Sequence, residues 1–98
     1  MPALLDTEAV QSLLQEVPDW NLEGNAIVRS LEFPSFLSAI AFVNKVAEEA
    51  EKAKHHPDID IRWQTVRLVL SSHSAGGLTS ADFMLARKLD QLCPQAGA

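Results

Sequence analysis

Several scarcities narrow this sequence before any motif does. Among 98 residues there is one cysteine, Cys93. A single thiol closes no internal disulfide and makes no paired-cysteine motif, so zinc fingers and CxxC redox chemistry are excluded. Basic residues are few, 8 Lys and Arg against 13 Asp and Glu, for a net charge of −5. Electrostatic binding to nucleic acid needs a basic face, so no direct nucleic-acid partner is expected. No run approaches the ~20 apolar residues of a membrane span, and the N-terminus lacks the basic and apolar regions of a signal peptide. These absences predict a soluble, cytoplasmic chain in a reducing compartment, with no membrane partner. There is no internal repeat, charge block or low-complexity segment; only residues 94–98 read as a frayed tail.

The length predicts one domain over residues 1–98. The hydrophobic share, 47%, is enough for a modest core. So small a domain buries a limited fraction of its surface and would benefit from association.

Asp6 or Thr7 can cap a first helix, in which Val10, Leu13, Leu14 and Val17 repeat at helical spacing and Pro18 is the stop. Trp20–Leu22 and Ala26–Phe33 flank a Glu23-Gly24-Asn25 turn, as in a hairpin. Pro34-Ser35 opens the longest helix. Its predicted stripe is Phe36, Ile40, Val43, Ala47 and Ala50, widened by Leu37, Ala41 and Val46, and Pro57 prevents continuation. Asp58–Gln64 alternates as a half-buried strand, with Ile59, Ile61 and Trp63 on one face, which predicts core packing for Trp63. Val66, Leu68 and Leu70 alternate again. Thr79 caps a third helix with Leu85, Ala86, Leu89, Leu92 and Cys93 as its stripe. The order α-β-β-α-β-β-α predicts an α+β fold of two layers, a four-stranded antiparallel sheet with three helices on one face.

All 3 histidines, His55, His56 and His73, fall in one short stretch. Each admits a structural and a chemical reading. Cations in a last helical turn complement the helix dipole, which would explain His55 and His56. Imidazoles near neutral pKa also suit proton transfer. His73 stands at a strand end before Gly76-Gly77. Thr79-Ser-Ala-Asp82 fits a capping box, so Asp82 has a structural role ready-made. A metal is not expected, because no HExxH or i,i+4 histidine pair exists. No nucleophile elbow or phosphate-binding glycine loop appears either.

Glu51-x3-His55-His56-Pro57, then Trp63 after five residues, His73 after nine more and Asp82 after eight more, form one fixed pattern. In this pattern the chain resembles the pterin-4a-carbinolamine dehydratases. The segment His73–Phe83 also looks like that family's strand-to-helix loop. The motif covers the C-terminal half. The resemblance implies dehydration of 4a-hydroxytetrahydrobiopterin, or a related 4a-hydroxytetrahydropterin, to the quinonoid dihydropterin in pterin recycling, with no metal and no organic cofactor. It implies His55, His56 and His73 as catalytic residues, His56 mattering most and the other two serving as proton donors. It implies substrate contacts from Pro57, Ser72, Ser74 and Ala75, and support from Glu51, Trp63 and Asp82, with Asp82 orienting His73 or capping the third helix. A homodimer or homotetramer through the helix around residues 35–53 is also implied. Relatives that act as partner or assembly proteins supply the competing class, a non-catalytic binding role. A pure scaffold has no need of three proton-transfer groups at these spacings, so catalysis is the reading favoured.

Overall fold

The computed structural model describes residues 3–93, so the expected tail at 94–98 lies outside the described residues. Helix α1 spans Thr7–Leu14, capped by the Asp6 carboxylate, which accepts from the Ala9 amide at 2.8 Å. It ends short of Pro18. Gln15–Asp19 turn instead, and Val17 reaches the core from that turn, fully buried. Strands β1 (Asn21–Glu23) and β2 (Ala26–Glu32) form the expected hairpin. Helix α2 spans Phe36–Ala53 under a Ser35–Ser38 capping box. Strands β3 (Asp58–Arg62) and β4 (Thr65–Leu70) follow, then a 3-10 turn at His73–Ala75 and α3 at Ser80–Leu92.

The four strands are antiparallel in the order β1-β2-β4-β3. Period-two alternation puts Val66, Leu68 and Leu70 of β4 on the helix-covered face, all fully buried beside Ile27 of β2. Arg29 sits on that same face, opposite Leu68. Its guanidinium contacts Asp90 of α3 at 2.5 Å, and Asp90 also accepts from the Trp20 indole at 2.8 Å. A half-buried cation on an apolar face is best tolerated with such a partner.

Two expectations about faces need correction. Helix α2 buries Ala39, Phe42, Val46 and Ala50, while Phe36 and Leu37 are exposed, as is Ala47. Apolar residues surround so much of this helix that several stripes were available. The tilted stacking of Phe42 on Phe33, centroids 5.0 Å apart, belongs to the stripe adopted. Trp63 is not in the core. The strand ends at Arg62, and Trp63-Gln64 form the tight turn to β4, leaving Trp63 83% exposed at φ 58. A turn residue leaves the pleat, so alternation no longer dictates its face.

Candidate active site

The C-terminus of α2 sets the site. Lys54 adopts the left-handed conformation at φ 54, and its amide bonds to the Glu51 carbonyl while the His55 amide reaches back to Ala50 at 3.1 Å. This is a Schellman closure with lysine where glycine is usual. It ends the helix abruptly and folds His55 inward toward the start of α3. His56 stays at the surface, its Nε2 3.4 Å from the exposed Glu51 carboxylate. Pro57 is half-buried between this pair and β3 and does not line the cleft.

The second wall comes from the loop after β4. Ser72 and Gly77 bridge, with the Ser72 amide 2.8 Å from the Gly77 carbonyl, and Gly76 takes φ 80 to close the loop. His73, Ser74 and Ala75 are thereby held on a 3-10 turn rather than at a strand end. Ser72 points inward. Its hydroxyl donates to Asp82 at 2.9 Å and lies 2.8 Å from the Thr79 hydroxyl.

Asp82 is fully buried and joins both walls. One carboxylate oxygen accepts from Ser72 and from the Thr79 amide, each at 2.9 Å, completing the expected capping box. The other lies 2.5 Å from His55 Nε2. As a carboxylate Asp82 can only accept, so His55 Nε2 is the donor in this contact and Nδ1 is the nitrogen left for the cleft. Asp82 therefore orients His55, not His73.

His55, His56 and His73 line one open cleft of about 460 Å³, together with Ser72, Ser74 and Ala75. Lys54, Thr79 and Ala81 also line it. They carry no catalytic signature in sequence; only the cap at Thr79 hinted at its position. Trp63 is not brought to the cleft, because it turns the opposite end of the β3–β4 hairpin. Glu51 is present only through its contact with His56. Among the described residues no cluster of three His, Cys, Asp or Glu side chains could hold a metal ion, and no helix is long and apolar enough to cross a membrane.

Fold and cleft together define a small α+β protein with an imidazole-lined recess at one end of its sheet. The family model described as pterin 4 alpha carbinolamine dehydratase matches residues 3–92, and the chain belongs to that family. A protein of Nocardia farcinica provisionally named pterin-4-alpha-carbinolamine dehydratase is 55% identical over 91% of this chain and 94% of its own. One of Thermomicrobium roseum, under the same provisional name, is 54% identical over 92% and 97%. The crystal structure of a transcriptional coactivator/pterin dehydratase from Brucella melitensis superimposes with a TM-score of 0.87 at 32% identity, covering 92% of this chain and 98% of that one. A pterin dehydratase-like RuBisCO assembly factor of the alpha-carboxysome shares the fold at a TM-score of 0.61 and 22% identity, over 74% and 84% of the two chains.

Proposed function

We propose that this protein is a hydro-lyase that dehydrates 4a-hydroxytetrahydrobiopterin, or a related 4a-hydroxytetrahydropterin, in pterin recycling in the cytoplasm. The observation that carries this reading is the convergence of every histidine of the chain on one cleft. The substrate bears a hydroxyl on a ring carbon next to a nitrogen. The nitrogen lone pair expels that hydroxyl as the C–O bond breaks, an acid protonates it to water, and the ring N–H proton passes to a base. A carbon–nitrogen double bond results, which is the quinonoid dihydropterin. Both proton movements suit imidazoles working near neutral pH. In this assignment His55, fixed by Asp82, and His73 exchange the protons, and His56 holds the ring. Backbone groups of the 73–75 turn are suited to recognising the edge of a flat, polar bicycle.

The reading includes a homodimer or homotetramer, for which the exposed Phe36 and Leu37 at the start of α2 offer an apolar contact. The same turn could serve a non-catalytic partner role, but that role leaves the histidine cleft without a purpose. The deciding experiment follows dehydration of freshly generated 4a-hydroxytetrahydropterin with wild type and with His55→Ala, His56→Ala and His73→Ala. Acceleration over the spontaneous rate that collapses in the variants is the expected result. A wild type no faster than buffer would remove the enzyme reading.

A further inference from the structure

A second cleft, of about 320 Å³, shares Ala53, His55 and Ala81 with the histidine cleft and continues from it between the end of α2 and the first turns of α3. Its character differs. Leu85, only 2% exposed, and Met84, 66% exposed, give it an apolar wall. Lys52 and Lys88 also line it, Lys52 lying 3.3 Å from the Glu49 carboxylate. Three of the 8 basic residues of this acidic chain, Lys52, Lys54 and Lys88, thus gather on the two connected clefts. Glu49 lines the second cleft too and pairs with Lys52, so the cation left without a carboxylate partner there, among the described residues, is Lys88, and that local positive charge favours an anion.

Resting on the dehydratase reading, we infer that the second cleft receives the side chain borne by the pterin ring, and that the favoured substrate carries an extended aryl substituent ending in a carboxylate. The ring sits against the imidazoles. Its substituent crosses between Ala53 and Ala81, whose methyl side chains leave the saddle low. Leu85 and the pliable Met84 then cover the aryl group. The terminal carboxylate meets the ammonium group of Lys88. A short, uncharged substituent would reach neither the apolar wall nor that lysine.

The test compares kcat/KM for two 4a-hydroxytetrahydropterins, one bearing a methyl group and one a carboxyphenyl-aminomethyl group, as a ratio in each protein. Wild type should prefer the aryl carboxylate by about tenfold, which corresponds to one modest charged contact. Lys88→Glu should abolish that preference, chiefly through KM, and Lys88→Arg should keep it. Ala81→Leu, which obstructs the saddle, should lower the ratio as well. Equal kcat/KM in wild type, or a ratio that Lys88→Glu does not move, overturns the inference and leaves the dehydratase reading standing. No acceleration with either substrate overturns the dehydratase reading and this inference with it. If Lys88→Glu changes the size of the assembly instead of the ratio, the cleft is a subunit contact and the inference falls.

Discussion

The Asp82 carboxylate lies 2.5 Å from His55 Nε2, a contact made across 27 residues of sequence and sealed from solvent on the Asp82 side. One buried group therefore caps α3, ties down Ser72 and orients a cleft imidazole through its Nε2. Asp82→Asn separates these duties. The amide keeps one acceptor but turns two donors toward a site crowded with donors, at a cost of about 2 kcal/mol in stability. With Nε2 no longer held by a carboxylate, kcat should fall by about tenfold or more while KM moves less. Denaturant unfolding and steady-state kinetics read the two effects. If the pair acts as a unit, His55→Ala with Asp82→Asn will lose far less than the product of the single losses.

Trp63 gives a sharper test of position than of chemistry. At φ 58 and 83% exposed, it occupies a conformation that glycine adopts without a Cβ clash. Trp63→Gly should leave the urea midpoint unchanged or raise it by an amount worth about 0.5 kcal/mol. A tryptophan packed in the core would cost about 3–5 kcal/mol on truncation to alanine, and Trp63→Ala should show none of that loss. A large loss in the alanine variant would return Trp63 to a packing role.

The contrast between Trp63 and Thr79 shows how much was legible in the sequence. Signals that act within a few residues were readable: the Asp6, Ser35 and Thr79 caps, the Gly24 turn, and the alternation of Val66, Leu68 and Leu70. Together they define the element order and the layers. The buried phase of α2 was not readable, because Phe36, Ile40 and Val43 repeat as well as Ala39, Phe42 and Val46 do; contact with Phe33 and α3 decides between them. The partner of Asp82 was likewise hidden. The capping box says nothing of the second carboxylate oxygen, and the Schellman turn at Lys54, a lysine in a glycine conformation, aims His55 at it. The histidine set was legible through its spacing, yet its meeting in one cleft is a property of the α2 end and the Ser72–Gly77 bridge.

Lys54→Gly should stabilise the fold by about 0.5–1 kcal/mol, since it relieves the left-handed lysine at φ 54 and preserves both closing hydrogen bonds. Thermal or urea unfolding checks this. A destabilised glycine variant would mean that the lysine side chain itself holds the turn.

Cys93 predicts an alkaline limb in the stability profile. Burial raises its pKa above the ordinary 9.0, with Asp90 and Asp19 adding to the rise and Arg29 opposing it. The folded state thus holds the thiol proton more tightly than the unfolded chain does. That contribution is complete below the unfolded value and is lost as pH climbs through the raised folded one. Between about pH 8 and about pH 10 the urea midpoint of wild type should fall more steeply than that of Cys93→Ala, which has no thiol to titrate. Parallel profiles would show that the thiol ionises alike in both states.

Leu37 separates assembly from chemistry. It is 77% exposed and its neighbour Phe36 is 53% exposed, both in the first turn of α2. Covering one such side chain contributes about 1.5–3 kcal/mol, and a charge in its place forfeits that and adds a desolvation cost. On the proposed assembly through this turn, Leu37→Glu should therefore give smaller species than wild type in light scattering. At 1.5 Å per residue, position 37 lies about 24 Å along the helix from Ala53 at the cleft. Dehydration by the dissociated variant should consequently stay within about twofold of wild type. A wild type that runs as one chain would remove the assembly role of this turn, and a variant that dissociates and loses activity together would mean that a neighbouring subunit completes the cleft.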